Sequence, residues 1–167
     1  AANKKMLNIA IKNKPKFVCL VPENRQEITT EGGLNLKKNL NNIKKSIEIL
    51  NKHNIRTSLF INPNLNDIKI SKMIKTKCIE LHTGRISKKI KSKTNYKKDL
   101  KNIIKCSKYA KSLGLEVHAG HGMDYKTAKV LSKIKEIEEF NIGHFIIGES
   151  IFFGLKKIIK KFKTIFK

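Results

Sequence analysis

Four short stretches carry residue types that chemistry uses. The first, LEVHAGHGMDY (115–125), places His118 and His121 three apart among glycines, directly after a short apolar run. The pair reads as a metal site, a phosphate cradle, a catalytic acid or a turn. On a helix, residues i and i+3 share a face and can chelate; on a strand they point to opposite sides. The apolar run argues for a strand, and only Asp124 lies close enough in sequence to be a third ligand, so chelation by both histidines is disfavoured. One histidine at a strand's end, facing the mouth of a site, suits proton transfer near neutral pH. By position that is His121, with His118 packed behind it.

The second stretch is CIELHTG (78–84), in which Glu80 and His82 share a face by strand alternation. A carboxylate directed at an interior costs free energy unless paired, and such groups often do acid/base work. The bland alternative is a glutamate satisfied by a lysine. The third is ENRQEITTEGGLNL (23–36), where Glu23, Arg25, Glu27, Thr29, Thr30 and Glu31 precede Gly32 and Gly33. Hydroxyls and glycine amides there can bind a carbonyl or phosphate, and a polar loop of this length after a strand is often a lid, although a solvated connector has the same composition. The fourth is FNIGHFIIGES (140–150). Gly143 and His144 stand before the final helix, whose N-terminus favours an anion.

The elements that must position these residues follow from periodicity. Short apolar runs at 16–23, 56–63, 77–84, 115–122 and 140–147 alternate with segments of helical spacing at 34–54, 64–76, 94–114 and 124–137. A helix over 3–12 opens the chain and another over 149–167 closes it. The runs read as continuously apolar, as parallel strands covered by helices do. The expected class is α/β, either a doubly wound sheet or a barrel, and in both the site lies at the C-terminal edge of the strands, where the polar and glycine residues gather. No G-x-G-x-x-G follows the first strand and no G-x-x-x-x-G-K-[ST] occurs, which counts against nucleotide-binding folds. Five units in 167 residues look like the later part of a barrel, with the GHG and NIGH motifs over one phosphate pocket.

Composition bounds the alternatives. The net charge is +24, yet only three of the 37 basic residues are arginines, the side chain favoured for bidentate phosphate and base recognition. The lysines are spread over every predicted helix, so a nucleic-acid partner is not expected. Three distant cysteines, Cys19, Cys78 and Cys106, read as structural thiols. No apolar run reaches the length of a membrane span, and no signal peptide is apparent, so a cytoplasmic protein is expected. The closing GLKKIIKKFKTIFK has the spacing of either a membrane-surface helix or a last barrel helix lying on the sheet; its place in the repeat favours the second.

With these motifs in order, the chain resembles the pyridoxine 5'-phosphate synthase family. The stretches that carry the likeness are CLVPENRQEITTEGGLNL, SLFINP, IELHTG, SLGLEVHAGHGMDY, EEFNIGHFIIG and FFGLKKII, spread over nearly all 167 residues. The resemblance implies an eight-stranded (β/α) barrel that condenses 3-amino-2-oxopropyl phosphate with 1-deoxy-D-xylulose 5-phosphate, releasing phosphate and water, in a homo-oligomer and without metal or organic cofactor. It implies His121 as proton donor, Thr29 and Gly122 as substrate-binding, Gly143 with His144 as the phosphate site, and Glu80 as a site-lining carboxylate. The family usually has Asn where His118 stands and Arg-Ala where Glu149 and Ser150 stand.

The resemblance also implies that residues 1–167 form a single partial barrel domain, strands four to eight, with no counterpart to the family's first three β/α units and their catalytic bases. The chain alone is then expected to be inactive in ring closure. The alternatives are another phosphate-binding barrel enzyme, or a non-catalytic remnant that binds nucleic acid through its lysines.

Overall fold

The computed structural model describes residues 1–22 and 32–166. A helix, α1 (Lys4–Asn13), precedes β1 (Phe17–Leu20), α2 (Leu40–Lys52), β2 (Arg56–Ile61), α3 (Leu65–Met73) and β3 (Cys78–His82). Then come α4 (Gly84–Lys91), α5 (Lys97–Ser112), β4 (Glu116–Gly120), α6 (Tyr125–Leu131), β5 (Ile137–Asn141), α7 (His144–Phe153) and α8 (Leu155–Ile165). Side chains start several helices as the sequence would suggest. Asn3 accepts a hydrogen bond from the Met6 amide, Asn64 from those of Asn66 and Asp67, and Asp124 from that of Thr127. Asp124, the one nearby third ligand for a histidine metal site, is thus engaged as a helix cap.

The sheet has five strands in the order β1-β2-β3-β4-β5, every pair parallel. A doubly wound sheet reverses its order at a switch point. This sheet does not, and its unreversed order is compatible with an arc of a (β/α) barrel.

The strands alternate, which corrects their reading as continuously apolar. The outward residues Leu20, Leu59, Ile61, Ile79, Leu81, Val117 and Ala119 are all buried beneath the helices. By register, the opposite face carries Cys19, Arg56, Ser58, Phe60, Cys78, Glu80, His82, Glu116, His118, Gly120, Glu139 and Asn141. Strands of four to six residues in which Cys, Phe and Ala occupy several positions show too little contrast for this alternation to stand out.

Five features differ from expectation. The last strand is residues 137–141 rather than 140–147, because the apolar Phe145 and Ile146 belong to α7 and pack with Ala128, Ile158 and Phe162. The helix expected over 124–137 stops at Leu131 accordingly. Helix α4 arises in a stretch left unassigned, its Ile86 and Ile90 buried four residues apart. Residues 34–39 lie outside α2, yet Leu34 and Leu36 are buried, and the Leu34 amide donates to the Phe60 carbonyl. The closing segment is two helices broken at Gly154, whose φ of 80° is left-handed.

The apolar stripe of α8 is covered. Ile158 and Phe162 are buried against α6, and Phe166 stacks on Phe140 of β5 at 4.5 Å. The pattern that also suits a membrane-surface helix therefore serves packing. Among the described residues no helix is long and apolar enough to cross a membrane.

Candidate active site

The C-terminal ends of β2, β3 and β4 bring three aromatic rings together. The edge of Phe60 meets the His82 ring at 5.2 Å, and His82 lies 4.8 Å from the His121 ring, centroid to centroid. His121 follows the last residue of β4 with a φ of 81°, a left-handed conformation uncommon for a residue with a Cβ. Residues held in such backbone states cluster at functional sites, because the surroundings must supply about 1–3 kcal/mol to keep them there. Here Thr83 supplies it. Its amide donates to the Gly120 carbonyl at 2.8 Å, and its buried hydroxyl is shared between the carbonyls of Gly120 and His121 at 2.8 and 2.7 Å.

This turn explains why strand alternation failed for the histidine pair. His118 points to the inner face, as its register with Glu80 requires. The positive φ of His121 then brings its ring back to His82 and Phe60, also inner-face residues, where plain alternation would have sent it away. Gly84 makes room for the two rings: a Cβ there would stand 2.8 Å from His82 Nε2 and 2.9 Å from His121 Cδ2.

His118 is buried, as expected, but it is bonded rather than merely packed. Its Nε2 lies 2.7 Å from Glu116 Oε1 and its Nδ1 3.4 Å from Glu139 Oε1, while Arg56 forms an ion pair with Glu116. Burial disfavours its protonated form and the Glu139 carboxylate favours it. Among the described residues no three His, Cys, Asp or Glu side chains converge on a metal-sized point.

Among the described residues Glu80 meets no lysine. Its Oε2 accepts from Asn141 Nδ2 at 2.9 Å and from the Cys19 thiol at 3.6 Å. Burial raises its pKa, and these two donors pull it back. Neither Cys19 nor Asn141 stands out as a site residue in the sequence. The available signal was strand parity, which puts Cys19 on the same face as Glu80.

Gly120 and Asn141 are register partners, so His121-Gly122 and Ile142-Gly143 leave the sheet side by side. Gly143 caps α7 without a side-chain hydrogen bond of its own, and His144 is the first residue of that helix and exposed. Helix α7 thus starts three residues after Asn141, the register partner of Gly120. Thr29 and the rest of the 23–31 segment lie outside the described residues. A cavity of about 880 Å³ lies at the opposite edge, near Arg56, Lys75, Lys77 and Lys111, but there Arg56 is paired with Glu116 and Lys111 with Glu138.

His82 has a consequence for stability. Burial, and then the charge of His121, lower its pKa from 6.5 to about 4. The unfolded chain binds a proton at this residue below pH 6.5 that the folded chain refuses until about pH 4, so stability rises with pH through that window. Acidification across it is expected to cost about 2 kcal/mol, solvent screening of the half-buried ring allowed for. Denaturant titrations of His82→Phe should show a flatter profile between those limits; an unchanged slope would mean that another group carries the effect.

A family model described as "Pyridoxal phosphate biosynthesis protein PdxJ" matches residues 1–167. A "Pyridoxine 5'-phosphate synthase" of Pelagibacter ubique is 61% identical over 98% of this chain and 68% of its own length. Proteins of the same name from Sulfurihydrogenibium and Zymomonas mobilis are 45% and 43% identical, over 96% and 98% of this chain and 65% and 63% of theirs. The chain thus spans about two thirds of the length of these relatives, and the stretches with the site geometry above lie within the matched residues. By a match over its full length and relatives this similar, the chain belongs to the PdxJ family of pyridoxal phosphate biosynthesis proteins.

Proposed function

We propose that the protein acts as a pyridoxine 5'-phosphate synthase, condensing 3-amino-2-oxopropyl phosphate with 1-deoxy-D-xylulose 5-phosphate to pyridoxine 5'-phosphate, phosphate and water. The observation that carries this reading is the His121 turn: a histidine in a left-handed conformation, pinned by Thr83, beside a second histidine whose pKa is depressed. Ring closure needs imine formation and dehydrations, each of which moves protons at a fixed point. His121 gives a proton to a departing hydroxyl. His82 stays neutral beside it, because burial and then the charge of His121, 4.8 Å away ring to ring, disfavour its protonated form. Gly122 lets the backbone approach the substrate, Gly143 and His144 hold a phosphate at the start of α7, and Glu80 accepts from the substrate. Thr29 contributes from the 23–31 segment.

In this reading residues 1–167 are one domain, strands four to eight of an eight-stranded barrel, working in the cytoplasm as part of a homo-oligomer. Two features support a larger assembly. Among the described residues β1 and β5 each have an unpaired edge, and α7 exposes Ile147, Ile151 and Phe152. The same openness leaves the inner face wet, whereas such chemistry needs water excluded. The 167 residues alone are therefore expected to bind pyridoxine 5'-phosphate saturably in a calorimetric titration, yet to yield none of it from the two substrates. Product formation would contradict the expected inactivity, and absence of binding would contradict the site.

A further inference from the structure

Glu80 is gripped from both edges of the sheet. The Cys19 thiol of β1 and the Asn141 amide of β5 both donate to its Oε2, at 3.6 and 2.9 Å. The other oxygen, Oε1, lies over Gly120 in the space a Cβ would take, with the carboxyl carbon 2.8 Å from that position. Any side chain at 120 would push the carboxylate away.

We infer that Cys19 and Asn141 are positioning residues that fix the Glu80 carboxylate, occupying Oε2 and presenting Oε1 over Gly120 to a hydroxyl or ammonium group of the substrate. This rests on the reading of the inner face as the site and names what Glu80 does there. A carboxylate free to turn offers two equivalent acceptors, because its terminal torsion is soft. Two donors on one oxygen remove that equivalence. The amide sets the angle, and the weaker thiol donor closes the other side. Although Cys19 reaches solvent on the open face, its crowded surroundings and the Glu80 charge push its pKa up, so it stays a thiol and a donor.

Among the described residues, titratable and charged groups on the face of Glu80 come from every strand: Cys19 on β1, Arg56 on β2, Cys78 and His82 on its own strand, Glu116 and His118 on β4 and Glu139 on β5. His118 favours the Glu80 anion and Glu139 opposes it. Neither donates a hydrogen bond to it among the described residues, so removing the two donors is a separable change.

Carbon-13 NMR of glutamate-labelled protein, with the Glu80 signal assigned by its loss in Glu80→Gln, follows the titration directly. In Asn141→Ala and Cys19→Ala the midpoint is expected to move to higher pH, while Cys19→Ser, which keeps a donor, returns it to wild type or below. An unmoved midpoint in both alanine variants, with circular dichroism showing an intact fold, overturns the inference. So does a Cys19→Ser that matches Cys19→Ala. In the reverse direction, Glu80→Gln should speed iodoacetamide labelling of Cys19 by about fivefold or more, since the thiolate is no longer opposed by a neighbouring charge; an unchanged rate overturns the coupling. These readouts need no turnover. Failure to bind pyridoxine 5'-phosphate would remove the functional reading and leave the clamp decided by titration alone.

Discussion

Replacing His121 with alanine in the active enzyme that carries these residues is expected to lower kcat by about 10²–10⁴-fold, the usual contribution of a positioned general acid. His118→Ala should cost far less turnover, about tenfold at most, and show its effect in stability instead. The difference follows from placement. His121 stands beyond the strand, held against His82 and Phe60 at the C-terminal edge of the sheet, where barrel enzymes carry their active sites. His118 is buried one layer below, between Glu116 and Glu139, and removing its ring leaves two carboxylates facing each other without their shared partner. Steady-state kinetics and denaturant titration on both variants separate the roles. Equal losses of kcat would show that the acid has been assigned to the wrong histidine.

The second large effect is structural. Gly33→Ala is expected to destabilise the fold by about 2–4 kcal/mol, a magnitude typical of overpacking against immovable atoms. A Cβ at 33 would stand 2.5 Å from the Ile61 carbonyl carbon and 2.7 Å from its Cα, and would also strike the Asn62 nitrogen. All three are backbone atoms at the end of β2, so no side chain can swing aside. The Gly33 amide also donates to Asn62 Oδ1, and the next residue ties to the Phe60 carbonyl. The strain would therefore loosen the attachment of the 32–36 segment and unseat Leu34 and Leu36. Thermal unfolding should show a clear drop in Tm. Gly32→Ala, whose Cβ meets nothing within 4 Å among the described residues, is the matched control. A Gly33→Ala as stable as Gly32→Ala would mean that this contact is not what anchors the loop.

Much of this arrangement was legible in the sequence. Alternating strand and helix patterns gave the α/β class, and the glycines and histidines expected at strand ends, His82, Gly84, His121 and Gly122, do fall there. What escaped has physical causes. Alternation on strands this short did not reveal that the inner face is polar, so the Glu116–His118–Glu139 row and the Cys19–Glu80–Asn141 grip went unseen. The return of His121 toward His82 depends on a left-handed φ that no periodicity encodes. The strand expected over 140–147 failed because an apolar run does not by itself distinguish a strand from a helix that buries two residues against its neighbours. Helix α4 was hidden by its lysines, only its buried isoleucines marking a face. Thr29 lies outside the described residues.

The proposed function requires that phosphorylated compounds be recognised where β4 and β5 end, and not by lysines at large. Residue-resolved NMR of the 167-residue chain during addition of pyridoxine 5'-phosphate tests it most directly. Saturable shifts are expected of the His121 and His82 ring signals and of the Gly122, Gly143 and His144 amides, with His53, at the opposite end of the strands, unmoved. Shifts confined to the lysine cluster of Lys89, Lys97, Lys98 and Lys101, fading as salt is raised, would contradict it.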